Sequence, residues 1–307
     1  MQTTGKRLPR FRREREAIRS FKLTSRDLEI IRQVARHRFL SSTQILSLVE
    51  GSATQVLRRL QILYHSGYLD RPRCQIDYFG KGGSRPMVYG LGSRGAGTLR
   101  QKYDLPFARM DWDTKNKNAG RVFLDHALMT SEILISFEVA CRATEGRVRY
   151  ISAEEIAKDY AAAGVQRDHL HRWRTALGGK QESLIPDGVF ILEYADAPEG
   201  RNRRLCFIEA DRGTMPLVRS RSIASCVERK LRLYANLWKQ GQFTKKLQVN
   251  RVQVFIVAEG ATRVGNMLEA FAKLTLGRGL FYFGDVASLR QTESALGYPW
   301  RHLDGSR

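Results

Sequence analysis

Acidic side chains are in short supply. Asp and Glu total 31 against 52 Lys and Arg in 307 residues, a formal net charge of +21. Such a surplus favours a polyanionic partner, because each phosphate neutralised by Lys or Arg releases condensed counterions. Long apolar runs are also missing: no stretch approaches the ~20 residues a membrane-spanning helix requires, which excludes a span. The amino terminus is basic with no apolar segment behind it, so no secretory signal is expected. Cysteine is sparse. Cys74, Cys141, Cys206 and Cys226 stand far apart without a CxxC pair, which argues against a zinc or disulfide framework and for reduced, packed thiols in the cytoplasm. No GxxxxGK[ST] occurs, so there is no P-loop, and no internal repeat or low-complexity tract is present.

What is there points to two domains, the expectation for this length. The charge is uneven, with 20 basic and 7 acidic residues among residues 1–100. Residues 1–22 hold eight of those basic and two of those acidic residues with little apolar content. They read as a flexible basic arm, of the kind that lies along phosphates or in a minor groove, or is merely solvated.

The pattern from 23 to 103 is the more informative one. Leu28, Ile31, Val34 and Ala35 make the stripe of a first helix that Thr24 or Ser25 can cap. Phe39 and Leu40 lead into a short second helix over 41–48. A third helix follows, with Ser52 as N-cap, Gly67 at its far end, and Val56, Leu57, Leu60, Leu63 and Tyr64 as an apolar stripe. Thr54, Gln55, Arg58 and Arg59 fall on the other side. Residues 68–73, a glycine-rich basic tip over 80–85 and residues 87–90 read as a long β-hairpin. A helix over 94–103 packs behind it.

Helix, short helix, capped helix and hairpin is the order of a winged helix-turn-helix domain. In that arrangement Ser52, Thr54, Gln55, Arg58 and Arg59 on the third helix, with Arg71, Arg73, Lys81 and Arg85 on the wing, are the candidate DNA contacts. Gln55 suits adenine, and Arg58 or Arg59 suits guanine or phosphate. The plainer alternative is a solvated helix and an ordinary surface hairpin. One further motif, Gly90-Leu-Gly-Ser-Arg-Gly95, matches GxGxxG, with Asp111 and Asp113 downstream. No second apolar strand precedes those aspartates, so the βαβ unit of a dinucleotide site is missing, and the glycines more economically end the wing and open the next helix.

Residues 104–119 are polar and aperiodic, as expected of a linker. From 120 to 290 the order is a long helix (123–141), a short strand (148–151), a helix (153–163) with a polar loop, and two strands of a hairpin (184–194 and 204–210). A second long helix (218–238), a buried strand (252–257), a helix (262–276) and a closing strand (280–283) complete it, before a tail over 291–307. This α, β, β, β, α, β order resembles the PD-(D/E)xK, restriction-endonuclease-like superfamily, within an α+β chain overall.

The acids fall where that resemblance wants them. Asp187 starts one hairpin strand, Glu209 and Asp211 end the other on a common face, and the hairpin brings them together. Clustered carboxylates suit Mg²⁺ or Mn²⁺, and Glu132 on the preceding helix could add a ligand. The superfamily's lysine, two residues beyond the glutamate, is replaced by Asp211. Lys230 on the following helix could supply the missing positive charge, with Arg212 a weaker substitute. The plainer alternative is a fold retained without catalysis. Asp168, His169 and His171 are sited to invite a metal but lack a register and a fourth ligand, and read as a polar loop.

Together these features resemble the replication-relaxation family of plasmids and integrative elements over roughly 23–285. The residues that carry the likeness are Leu23-Thr-Ser-Arg-Asp-Leu28, Val88-Tyr-Gly-Leu91, His126, Pro186-Asp187, Phe207-Ile-Glu-Ala-Asp-Arg-Gly-Thr214, and Lys230 with Tyr234. The resemblance implies a DNA-binding protein acting in plasmid replication, or preparing DNA for a relaxase, with double-stranded DNA as partner and a homodimer or a relaxase or replication protein as further company. The rival is a metal-dependent nuclease using Asp187, Glu209, Asp211 and Lys230. A transcriptional regulator is third.

Overall fold

Thr24 and Asp27 cap each other: the Asp27 amide donates to the Thr24 hydroxyl at 3.3 Å and the Thr24 amide to the Asp27 carboxylate at 2.7 Å, which starts α1 (Ser25–His37). The computed structural model to which this helix belongs describes residues 8–14, 21–76, 85–103, 112–160, 170–214, 217, 227–275 and 277–303. It is an α+β chain of two units, residues 1–131 and 132–307.

In the first unit, β1 (Phe39–Ser41) follows α1 and leads into α2 (Ser42–Leu48), whose Ser41–Gln44 cap repeats the device of α1. Then come α3 (Ala53–His65), β2 (Leu69–Asp70), β3 (Val88–Leu91), α4 (Ser93–Tyr103) and α5 (Trp112–Lys117). The first half of α6 (Arg121–Arg142) completes the unit. The strands form an antiparallel sheet in the order β1-β3-β2, and Ile30, Ile31, Val34, Val56, Leu60, Leu63, Leu91 and Leu99 are wholly buried.

Several expectations need correcting. Phe39 and Leu40 are not a mere lead-in but an edge strand on β3. The hairpin is shorter than its sequence suggests, because β2 stops at Asp70 and the chain turns through Pro72, which has no N–H to donate, into a 3-10 turn at Arg73–Gln75. The Gln75 amide then stands in for the ladder, accepting from the Val88 amide at 2.8 Å and donating to the Val88 carbonyl at 3.0 Å. The tip over 77–84, Lys81 included, lies outside the described residues. Leu57 leaves the apolar stripe of α3 and is 44% exposed. Within the stretch expected to be aperiodic, Trp112–Lys117 is helical, and the buried Asn116 donates to the Leu91 carbonyl at 2.8 Å. Gly92 and Gly95 are steric requirements: a Cβ on Gly92 would stand 2.4 Å from the Gly67 carbonyl oxygen and one on Gly95 2.2 Å from that of Tyr68. That close approach of two turns accounts for the glycine motif.

The second unit holds the rest of α6, then β4 (Val148–Ser152), α7 (Ala153–Asp159), β5 (Trp173–Leu177), β6 (Lys180–Leu184), β7 (Gly188–Tyr194) and β8 (Arg203–Asp211). After these come α8 (Val227–Lys239), α9 (Gln242–Leu247), β9 (Arg251–Ala258), α10 (Ala261–Phe271), β10 (Phe281–Asp285) and α11 (Val286–Leu289). The main sheet runs β10-β9-β8-β7-β4, antiparallel from β4 to β8 and parallel from β8 to β10. Parallel strands need a crossover, and α8 with α9 supplies it between β8 and β9.

The β5–β6 hairpin arises inside what reads as a polar loop. Its buried Trp173 and Thr175 alternate with exposed Arg174 and Ala176, a pattern short enough to be masked by the charges around it. The start expected for the long helix at 218 falls on residues outside the described ones, as do Asp168 and His169. The segment expected as a tail is packed: Trp300 stacks on Phe137 with ring centroids 5.8 Å apart, and Arg301 bridges to Phe283.

Candidate functional site

Two places carry the candidate residues. The first is the start of α3. Val56 and Leu60 anchor the helix in the core, which leaves Ser52, Thr54, Gln55, Leu57 and Arg58 exposed on its outer side. Ser52 is occupied as N-cap, accepting from the Gln55 amide at 3.3 Å. Gln55 accepts from Arg26 Nη1 at 3.3 Å, so Arg26 on α1 joins this face, a residue the sequence did not single out.

Two of the arginines assigned to the contact surface are placed elsewhere. Arg59 donates through Nε to Asp27 at 2.7 Å and through Nη2 to its other oxygen, with Asp27 fully buried, and its guanidinium lies 5.2 Å from the Phe21 ring. Burial alone pushes the Asp27 carboxyl up, but Arg59 and Thr24 outweigh it and hold the carboxyl below its ordinary range. Arg71 is buried, 4.1 Å from the Tyr64 ring centroid, donating to the Arg10 carbonyl at 2.8 Å and to Tyr89 Oη at 3.2 Å. Both are structural cations. Arg73 and Arg85 are exposed.

The second place is the end of the second unit's sheet where β8 finishes and β7 begins. The Asp187 amide donates to the Ile208 carbonyl at 3.1 Å, and the Asp187 carboxylate accepts from the Ala210 amide at 2.8 Å, which fixes Asp187 beside Glu209. From α8, Lys230 donates its ammonium to Glu209 Oε2 and stands 3.9 Å from Asp187 Oδ1. One turn further along, Tyr234 donates to Glu209 Oε1 at 2.7 Å. Burial, then the neighbouring Asp187, pushes the Glu209 carboxyl up to about 7, with Lys230 and Tyr234 opposing. Burial lowers Lys230, but Glu209 and Asp187 outweigh it and raise its pKa.

Asp211 adds its charge to the field at Lys230 but has its own oxygens bound elsewhere. Its Oδ2 accepts from Arg263 Nε at 2.8 Å and its Oδ1 from the Gly213 amide at 2.9 Å. Glu132 accepts two bonds from Arg290, the longer at 2.6 Å. The expectation that these four acids share an ion is therefore not met by their geometry. Both oxygens of Glu209 and both of Asp211 already face protein donors. Among the described residues no group of three His, Cys, Asp or Glu side chains is placed to hold a metal. A divalent ion beside Glu209 would meet an ammonium already there, and the acids expected to share it are each paired with a different cation. Tyr234, named with Lys230 among the residues that carry the family likeness, lies four residues after it on one helix face. Arg263 gave no such signal.

A sequence model described as replication-relaxation matches residues 31–252, which takes in both α3 and the Glu209–Lys230–Tyr234 cluster. The chain belongs to the replication-relaxation family. No curated protein and no solved structure matches it. Membership of the replication-relaxation family associates the chain with the replication or relaxation of plasmids and mobile elements. Among the described residues no helix is long and apolar enough to cross a membrane.

Proposed function

We propose that this replication-relaxation protein binds double-stranded DNA of a plasmid or mobile element, with the first unit as a winged helix-turn-helix and the second as a restriction-endonuclease-like fold that works without metal-dependent cleavage. The observation that carries the DNA-binding reading is the exposed start of α3. A helix buried by Val56, Leu60 and Leu63 turns Thr54, Gln55, Leu57 and Arg58 outward together, beside a β2–β3 hairpin whose approaches hold Arg73 and Arg85. Arginine and glutamine there suit guanine and adenine edges, and an outward leucine suits a thymine methyl. The basic excess of residues 1–100 supplies the phosphate term.

For the second unit, the supporting observation is Lys230. Its ammonium takes Glu209, while Arg263 takes Asp211 and Arg290 takes Glu132, so the acids expected to share an ion are each engaged by a different cation.

The test is a gel-shift and footprint series on the replicon that encodes the protein. Retardation at a discrete site, weakened in Arg58→Ala and Gln55→Ala with folding intact, is the expected result. No site-specific complex, or one indifferent to both substitutions, overturns the reading. Footprints confined to promoters would move it toward transcriptional control.

A further inference from the structure

At the end of the second unit's sheet where β8 and β9 begin, away from Glu209 and Asp211 at the other ends of those strands, lies a cavity of about 460 Å³. Its wall includes Arg204, Arg251 and Arg278, with Trp238, Tyr282 and Gln253, and no carboxylate. Its volume is within the range of sites for small organic ligands, roughly 300–1,000 Å³.

The charges are what need explaining. Arg204 and Arg251 are direct register partners in the parallel pair β8–β9, so their side chains leave one face of the sheet about 4.8 Å apart at the backbone. Like charges set side by side on neighbouring strands repel. Elsewhere in this protein crowded arginines are neutralised, as Arg203 and Arg149 are by Glu193. Here, among the described residues, none of the three has a carboxylate partner. Arg204 lies 4.4 Å from the Tyr194 ring centroid, Arg278 gives Nη2 to the Leu303 carbonyl at 2.7 Å, and Arg278 Nε is buried with no hydrogen-bond partner among the described residues. Three guanidinium groups thus share one wall with no acidic side chain in it to balance them.

The aromatic part of the wall narrows the kind of anion. Trp238, on the last turn of α8, is 44% exposed, an unusually large apolar surface to leave open to solvent. Tyr282 is held by Phe255 at 5.1 Å and His302 at 4.4 Å between ring centroids, which fixes its ring at the cavity. The Gln253 amide, 9% exposed, adds a hydrogen-bonding edge. Flat apolar surface beside clustered guanidinium groups is the chemistry that takes a base by stacking and its phosphate by charge.

We propose that this cavity binds a nucleotide, its base against Trp238 and its phosphate among Arg204, Arg251 and Arg278. The nucleotide is either free or a link in single-stranded DNA, since the chemistry recognised is the same. The site rests on the second unit alone and stands whether or not α3 reads duplex DNA.

The experiment follows tryptophan fluorescence of the full chain titrated separately with oligo(dT)8, dTMP and ATP, with inorganic phosphate as competitor. Arg251→Glu, Arg251→Lys and Trp238→Phe run alongside, each checked for an unchanged melting temperature. Stacking on Trp238 is expected to quench its emission. Arg251→Glu weakens binding about tenfold or more, Arg251→Lys retains most of it, and Trp238→Phe abolishes the signal. Saturation by dTMP or ATP identifies a free nucleotide, and saturation by the oligonucleotide alone identifies single-stranded DNA. No quenching by any of the three ligands overturns the proposal. So does quenching that persists in both Arg251→Glu and Trp238→Phe, or phosphate competing as well as the nucleotide does, which would leave a simple anion site.

Discussion

The Tyr234 hydroxyl donates to Glu209 Oε1 at 2.7 Å, while Lys230, one turn earlier on the same helix, holds Oε2. Glu209 is therefore gripped on both oxygens from one face of α8, which ties this helix to the end of β8. Removing either donor leaves a buried carboxylate short of partners.

Lys230→Met should accordingly destabilise the second unit by about 3–5 kcal/mol, the cost of leaving one charge of a buried pair uncompensated. Adding Glu209→Gln to it should recover a good part of that loss, because the orphaned charge is gone. Urea unfolding of the two variants checks this, and a double variant no more stable than the single one would show that Lys230 acts by packing instead.

Supercoiled plasmid incubated with the protein and Mg²⁺ or Mn²⁺ should stay intact. The melting temperature should be unmoved by millimolar amounts of either ion, because the oxygens of Glu209 and Asp211 already have protein donors. Nicking that disappears in both Asp187→Ala and Glu209→Ala would instead make Lys230 a residue that yields its place to metal.

Arg58 and Arg59 are neighbours with opposite assignments. Arg58→Ala should leave the melting temperature nearly unchanged and weaken duplex DNA binding by about 1–3 kcal/mol, from a lost base or phosphate contact. Arg59→Ala should cost about 3–5 kcal/mol of stability in the first unit, since it strands Asp27, which is fully buried. Thermal melts and gel shifts on the two variants separate these outcomes.

His37 makes the first unit sensitive to acid. Burial, with Arg36 adding repulsion, lowers its imidazole from the ordinary value of 6.5 to about 3, and neither ring nitrogen has a hydrogen-bond partner among the described residues. The unfolded chain therefore takes up a proton that the folded one refuses. Stability is full above about pH 6.5 and falls as pH drops toward 3, by about 2 kcal/mol at pH 5 from this group alone. His65 is lowered by burial too and adds in the same direction. Urea midpoints at pH 8 and pH 5 test this: the gap should narrow in His37→Phe, and an equal gap would assign it to other groups.

Gly92→Ala should destabilise the first unit, because its Cβ would meet the backbone of Gly67 and Tyr68, which cannot swing aside as a flexible side chain can. Thermal melts of the variant check this, and an unchanged melting temperature would remove the steric account of the glycine motif.

The sequence by itself determined the sign of the charge, the helices α1, α2 and α3 with caps for the first and third, the succession of the main-sheet strands along the chain, and the family. These follow from local signals: periodicity, cap residues and runs of β-branched and aromatic side chains leave little choice within an element. It also placed Asp187 beside Glu209, because a hairpin register fixes which residues are neighbours. Only the tertiary structure decided which long side chains reach across to another element. Helical spacing sets Arg58 and Arg59 together, yet one faces outward and the other is drawn back by Asp27, 32 residues earlier in the chain. The same holds for Asp211, drawn to Arg263 rather than to Glu209, and for Arg71, drawn inward by Tyr64 and Tyr89. A flexible arginine or lysine chooses among partners several ångströms apart, and that choice depends on burial and opposing charge contributed by residues far away in sequence.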